Sequence, residues 1–467
     1  MTKKVCVIGA GIGGLTIGAL LSKKGYSVTL FEKEKILGGR SLTFNGDTLT
    51  LEDYRNTLSK FSMSVPFSEP SLEDIFNKNM LKGYTLDLGF HSIEGGTMSD
   101  IGRAIIDTGN KVEMLGTKLG LINNNGFMFP LVTTKDKFRF LPSILRLYLS
   151  GESTMKRLDK QSIAETIKIY GKGKMITILE LLPRVATTVN DLNKISTGES
   201  FRATQSSLRR GSSPVGYPRG GLVSLSNTFS EEIKRNNGKI HLGKKINEII
   251  IDNGSASGVK TDDKEYNFDI VISNILVQHL FNIISEKHFP KNYVDNLKSL
   301  EGTGSLCAYY SLNKIDPKLI GKSFLFIERD AGIKGNDAVG MIEFVTALPE
   351  AGISPNSKYL VQSYIICTPE EAKSKKTLEK LREMLDRNLE ILIPNFHSLL
   401  NWAIYPTVWH LDGVAKTIDN IKPDIKTPIS NLYLVGDCVK APGIGINCAV
   451  NSARILDDML EKTFNTS

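Results

Sequence analysis

Short apolar runs, set far apart in stretches of mixed polarity, dominate the pattern of this chain. Val5-Cys6-Val7-Ile8 and Val28-Thr29-Leu30-Phe31 are too short for helices and continuous enough for strands buried on both faces. Ile270-Val271-Ile272-Ser273 and Leu432-Tyr433-Leu434-Val435 repeat that texture far downstream. Residues 15–24 read as a helix stopped by Gly25, so the chain opens with a βαβ unit. A second helix is predicted from after Leu222 to about Lys234. A last one follows Pro442-Gly443-Ile444-Gly445-Ile446, with Ala449, Ala453, Leu456 and Leu460 at helical spacing. Residues 239–241 and 246–251 predict strands, with a turn at Asp252-Asn253-Gly254 and a hairpin return through Val259-Lys260. Residues 305–312, 323–327, 339–345 and 359–366 are strand-like runs divided by turn residues, the pattern of an antiparallel sheet covered by helices. The expected class is α/β, with an inserted α+β region built on that sheet.

Gly9-Ala10-Gly11-Ile12-Gly13-Gly14 lies where the first strand gives way to the helix, a GxGxxG pattern in Gly9, Gly11 and Gly14. Gly9 permits a tight turn, Gly11 lets a pyrophosphate approach the backbone, and Gly14 lets helix and strand pack closely. The helix N-terminus adds free N–H groups and the positive end of its dipole. Glu32 ends the second strand, where a carboxylate accepts both ribose hydroxyls and disfavours a 2′-phosphate. Strand, turn, helix and acid together point to a dinucleotide, NAD or FAD.

Gly38-Gly39-Arg40 separates the two. The stretch from Val7-Ile8-Gly9 through Phe31-Glu32-Lys33 to Gly38-Gly39-Arg40 resembles the amino-terminal signature of FAD-dependent amine oxidases and carotenoid desaturases. The resemblance implies FAD as cofactor, with the Gly-Gly-Arg loop along its pyrophosphate and Arg40 as a cation there. Leu432-Tyr433-Leu434-Val435-Gly436-Asp437 and the glycine-rich turn before the last helix resemble the carboxy-terminal FAD segment of the same superfamily. That implies Asp437 at the ribityl–phosphate region and a helix N-terminus at the flavin's pyrimidine edge, where its dipole stabilises the reduced anion. A middle block, Gly216-Tyr217-Pro218-Arg219-Gly220-Gly221-Leu222 through Ile272-Ser273-Asn274, resembles phytoene desaturases and carotenoid isomerases, and implies an adenine contact at Ile246. The FAD-binding residues so implied are Gly9, Gly11, Ile12, Gly13, Gly14, Glu32, Lys33, Gly39 and Arg40 at the start. Ile246, Gly436, Asp437, Gly445 and Ile446 complete them. The resemblance implies a Rossmann-like FAD-binding domain from residues 1–91, 213–299 and 426–467, and a substrate domain from 92–212 and 300–425.

Composition narrows the setting. The 467 residues carry 58 Lys+Arg against 50 Asp+Glu, and the resulting +8 is spread along the chain, so nucleic acid is not implied. The 41% hydrophobic and 23% charged fractions exclude disorder and coiled coil. No run approaches the ~20 apolar residues of a bilayer span. Met1-Thr2-Lys3-Lys4 leads straight into Val5, so no cleavable signal is expected. Cys6, Cys307, Cys367, Cys438 and Cys448 are odd in number and lack metal-ligand spacing, so neither a disulfide framework nor a metal site is expected. The location read from this is cytoplasmic. Residues 135–149 mix Lys and Arg with Phe, Leu and Ile, which suits a helix packed on its own domain or one lying peripherally on the inner face of a membrane.

The sequence shows no clear catalytic acid or base, and a flavin that accepts hydride directly leaves positioning to the protein. His91, in Asp87-Leu88-Gly89-Phe90-His91, matches a run that sits beside the flavin in relatives; Tyr217 and His410 are the other candidates, with Arg219 and Trp409 as neighbours. Amine oxidases typically carry an aromatic residue just before the last flavin helix, and Ile446-Asn447-Cys448-Ala449 lacks it. The resemblance therefore implies desaturation or saturation of a C–C bond in a lipophilic substrate such as a polyisoprenoid. Redox-neutral cis–trans isomerisation and amine or porphyrinogen oxidation are the alternatives. A non-catalytic alternative is a module binding prenylated small GTPases, whose glycine motif typically loses the third glycine that Gly14 retains here.

Overall fold

The four short apolar runs become neighbours in one sheet. A computed structural model describes residues 2–123, 126–202 and 215–465. In it Lys239–His241, Ser27–Phe31, Lys4–Ile8, Ile270–Ser273 and Leu432–Leu434 lie side by side in that order, every pair parallel. Val5, Cys6 and Val7 are wholly buried, because helices cover one face of the parallel sheet and the antiparallel strands Glu248–Asp252, Ser255–Lys260 and Glu265–Asn267 cover the other. Helix Ile12–Lys23 packs between Val223–Arg235 and the last helix, Gly445–Asn465, so segments from the start, middle and end of the chain share one core.

The second sheet has eight strands, in the order Met63–Glu69, Leu400–Val408, Gly304–Leu312, Tyr359–Cys367, Ala338–Glu343, Ser323–Glu328, Leu119–Asn123 and Gly126–Met128. All its pairs are antiparallel except Ser323–Glu328 with Leu119–Asn123. Side chains alternate between its faces. Leu306, Tyr310, Ile342 and Ile365 meet the helix Lys375–Leu392, while Tyr309, Met341, Tyr364 and Ile404 face the parallel-sheet side. A small antiparallel ribbon of Ile93–Glu94, Val215–Pro218 and Met114–Thr117 lies beside the final helix.

One boundary differs from the sequence expectation. Met63–Glu69, inside the segment 1–91, hydrogen-bonds to Leu400–Val408 and belongs to the eight-stranded sheet. The junction at residues 212 and 213 lies outside the described residues. Among the described residues, no helix is long and apolar enough to cross a membrane. All five cysteines are free and buried.

Candidate active site

Each element of the dinucleotide turn is fixed by contacts that leave the backbone bare. Gly9 adopts φ +97°, and a Cβ on Gly14 would stand 2.1 Å from the Gly9 carbonyl oxygen. Gly14 thus serves the packing of helix on turn and does not line the cavity. A Cβ on Gly11 or Gly13 would meet the Asn274 amide at 2.8 or 2.7 Å, and one on Gly39 would meet Gly11 Cα at 3.2 Å. Gly38 N donates to the Ala10 carbonyl at 2.9 Å, which seats the Gly38-Gly39-Arg40 loop on the turn. Helix Ile12–Lys23 begins at Gly11 with no side-chain cap, so its first N–H groups remain open to an anion. Glu32 is 7% exposed; its Oε2 accepts from Ala10 N at 2.7 Å and its Oε1 from Glu34 N at 2.8 Å. Burial raises its pKa, with the two N–H donors opposing. Each oxygen keeps a lone pair for a ribose hydroxyl.

The far end of the chain closes the same space. Gly436 takes φ +124°, and Asp437 follows it. Arg40 Nη2 donates to Asp437 Oδ1, Gly413 N donates to Oδ2 at 2.8 Å, and Arg40 Nη1 donates to the His410 carbonyl at 3.0 Å. Burial pushes the Asp437 carboxyl up, but the Arg40 charge and the Gly413 N–H more than offset it and hold the group well below the carboxylate range. Arg40 was expected to stand along a pyrophosphate as a cation; here its charge is already paired. The final helix starts at Gly445, and Asn447 anchors it by accepting from Ile101 N at 3.3 Å and donating to the Glu94 carbonyl at 2.7 Å.

A continuous cavity of about 1430 Å³ runs through these elements. Gly9, Gly11, Ile12, Gly13, Glu32, Lys33, Gly39, Arg40, Ile246, Gly436, Asp437, Gly445 and Ile446 all line it, as do His91 and His410. Bare glycine backbone, an open helix start and a second helix start at the opposite wall fit a long dianionic dinucleotide such as FAD. His91 Nδ1 is buried without a hydrogen-bond partner; burial pulls its pKa down to about 4, the Gly89 carbonyl opposing and the Arg40 charge reinforcing. His410 is lowered by burial and by Arg40 and His279. Both rings are neutral near pH 7.

Tyr217 stands elsewhere. It is wholly buried outside the cavity lining, and its hydroxyl donates to Asp87 Oδ2, which together with Thr43 and Leu222 N holds a structural knot. Trp409 likewise anchors the sheet, its Nε1 donating to the Ala372 carbonyl at 3.2 Å. Arg219 pairs with Glu113 at the surface. Sequence reasoning assigned no role to Asn274, whose amide cradles the glycine turn. Its signal is its place at the carboxyl end of a buried strand beside that turn, where parallel sheets bind ligands. It also missed Ser92, Met341 and Tyr364 in the cavity wall, and Glu343, an acid inside an apolar strand.

The family described as flavin containing amine oxidoreductase matches residues 12–455 of the chain. A 1-hydroxycarotenoid 3,4-desaturase of a Flavobacterium species is 24% identical, the alignment covering 99% of this chain and 99% of that protein. A 4,4'-diapophytoene desaturase (4,4'-diapolycopene-forming) of a Methylomonas species is 26% identical over 67% of this chain and 62% of the relative. The crystal structure of an oxidoreductase from Methanosarcina mazei shares the fold, with a TM-score of 0.71 at 23% identity over 97% of this chain and 100% of that one.

Proposed function

Because the chain belongs to the flavin-containing amine oxidoreductase family and is an FAD-dependent oxidoreductase, we propose that it desaturates a C–C bond of a lipophilic, polyisoprenoid substrate. The observation that carries this reading is the continuity of the cavity. It leads from the glycine turn into an apolar lobe lined by Leu131, Phe140, Met175, Leu179, Leu182 and Val185. A long polyisoprenoid fits such a lobe, and two of the relatives are named as desaturases of a 1-hydroxycarotenoid and of 4,4'-diapophytoene.

FAD, when bound, supplies an acceptor for a hydride. The chain's residues do the rest. The Gly9–Gly13 backbone and the start of helix Ile12–Lys23, which line the cavity, would hold the diphosphate, and Glu32 would hold the adenosine ribose. The Arg40–Asp437 pair fixes the Gly38–Gly39 loop against the last strand. The N-terminus of helix Gly445–Asn465 places its positive end at the cavity wall. The apolar lobe orients the hydrocarbon and keeps water from its reacting carbons. His91, neutral near pH 7, packs against the reaction space without carrying charge into it.

The substrate reaches the lobe past helix Thr134–Leu149. Lys137, Leu141 and Arg146 line the cavity, while Phe138 and Leu149 are 75% and 77% exposed on the same helix. Basic residues among exposed large apolar ones suit peripheral attachment to the anionic cytoplasmic face of a membrane. Lys174 pairs with Asp136 and ties the helix back to Lys174–Thr187.

Anaerobic mixing of the FAD-loaded protein with phytoene or 4,4'-diapophytoene in liposomes tests the reading. The expected result is loss of the oxidised flavin band together with a red-shifted polyene absorption. Peroxide release with amines, and no bleaching by either polyene, overturns it.

A further inference from the structure

The cavity-side face of the eight-stranded sheet is broken by a polar row. Ser323, Glu343 and Gln362 stand opposite one another on three adjacent strands, and all three are fully buried. Alternation puts them on the face of Met341 and Tyr364, which line the cavity. Ser323 Oγ, Glu343 Oε2 and both amide atoms of Gln362 make no hydrogen bond. Buried polar atoms are nearly always paired, so an unpaired row in one place marks a site where the fold keeps polar capacity in reserve. Glu343 Oε1 accepts from Ser92 Oγ at 3.3 Å, and Ser92 lines the cavity beside His91. A carboxyl therefore lies one hydroxyl away from the reaction space.

We propose that Glu343, acting through the Ser92 hydroxyl, takes up the proton that leaves the substrate during desaturation. The inference rests on the desaturation reading above. Conversion of CH–CH to C=C breaks two C–H bonds. One hydrogen would leave with both electrons, as hydride, for which bound oxidised FAD would be the acceptor. The electron pair of the second C–H bond becomes the π bond; its proton passes to Ser92 Oγ while the proton of Ser92 moves to the Glu343 carboxylate. Glu343 then returns its proton by the same relay, through the Ser92 hydroxyl to water in the cavity, between turnovers.

The surroundings decide which group holds that proton. Burial pushes the Glu343 carboxyl up to about 8, with the Ser92 hydroxyl opposing. His91, at about 4, is too weak a base to keep a proton near neutrality. Facing Glu343 are Ser323 from its own sheet neighbour, Gln362 and Tyr364 from the other neighbour, and Ser92 from the loop above. Tyr217, bonded to Asp87, lies within its electrostatic reach. Gln362 Nε2 and the Ser323 hydroxyl are donors for the ionised form.

The test uses stopped-flow bleaching of the FAD-loaded enzyme by phytoene in liposomes, from about pH 6 to about pH 10. The wild-type rate should climb about tenfold per pH unit and level off above about 8. Glu343→Gln should lose that profile and slow roughly 100-fold or more, Ser92→Ala should slow similarly, and Glu343→Asp should recover part of the rate. A second readout needs no turnover: infrared titration of the protein without substrate should show a carboxylic C=O band that disappears near pH 8 and is absent from Glu343→Gln. Bleaching by wild type with an unchanged rate and profile in Glu343→Gln overturns the inference alone. No bleaching of wild type by the polyene overturns the desaturation reading and the inference with it. Absence of a titrating band overturns the assignment of Glu343.

Discussion

A carboxyl that folds into an apolar strand without a cation ties the stability of the whole protein to pH. Glu343 has a folded pKa of about 8 against an ordinary 4.5, so between those values the native state holds a proton that the unfolded chain releases. Its favourable contribution is full below about pH 4.5, falls as pH rises, and is gone above about 8. The loss runs at about 1.4 kcal/mol per pH unit. Denaturant unfolding at a series of pH values should therefore show Glu343→Gln gaining on wild type across that window; parallel curves would refute the assignment. Asp437 obeys the opposite sign. The Arg40 charge depresses its pKa, so the stability it contributes is present above the ordinary carboxylate range and is lost as pH falls. Asp437→Ala leaves Arg40, which is partly exposed to the cavity, without its carboxylate and should destabilise the FAD-free protein by about 1–3 kcal/mol in denaturant melts. A double variant that also makes position 40 neutral should recover part of that loss. Both residues are visible in sequence as motif members, yet 397 positions separate them, and no local pattern announces that they neutralise each other. Tyr217 shows the reverse: its place in a motif suggested the active site, while its hydroxyl is committed to Asp87.

At the scale of elements, legibility follows locality. The βαβ start was readable because strand, turn and helix are contiguous and each glycine answers a steric demand within a few residues. Those demands differ in kind. Alanine at Gly14 would press its Cβ on the Gly9 carbonyl at 2.1 Å, backbone against backbone, whereas alanine at Gly11 meets only the Asn274 amide at 2.8 Å. Gly14→Ala should thus lower the melting temperature of the FAD-free protein, by roughly 4–8 °C for each 1 kcal/mol in a small domain and less here. Gly11→Ala should melt nearly as wild type and bind FAD more weakly, seen by flavin fluorescence titration; equal behaviour of the two variants would contradict the geometry. Met63–Glu69 escaped the reading because it is an edge strand interrupted by Pro66, and only its partner Leu400–Val408, over three hundred residues on, makes it a strand. Helix Thr134–Leu149 was legible as amphipathic and basic, but not for which side its apolar residues take. With Phe138 and Leu149 exposed, Phe138→Asp with Leu149→Asp should abolish flotation with anionic liposomes at low salt and leave the melting temperature close to wild type. Retained flotation would remove this helix from the membrane contact.

At the scale of the molecule, the cavity is a meeting place for chain segments that have no other reason to be close. Segments 8–13, 31–41, 244–246, 274–283, 410–412 and 436–449 each contribute residues to its wall, so a ligand lying along it touches both the parallel sheet and the loops that return from the eight-stranded sheet. The strand pattern alone does not say how the segments of the two implied domains interleave, because the Arg40–Asp437 pair and the Asn274 amide link them only in three dimensions. FAD then acts as a cross-brace, binding the native arrangement and not the unfolded chain. Linkage sets the size of the effect at RT ln(1 + [FAD]/Kd), about 2.7 kcal/mol at a hundredfold excess over Kd. The melting temperature should rise steadily with FAD concentration. The rise should also appear together in signals from both sheets: Trp402, buried in the eight-stranded sheet, and the flavin, which the proposed site sets against the parallel sheet, should report one transition. If the tryptophan and flavin signals separate, so that FAD shifts one transition and leaves the other in place, the two sheets unfold independently and the cavity does not couple them. Coincident transitions that move together with FAD are the expected outcome, because each sheet contributes a wall that the other's ligand requires.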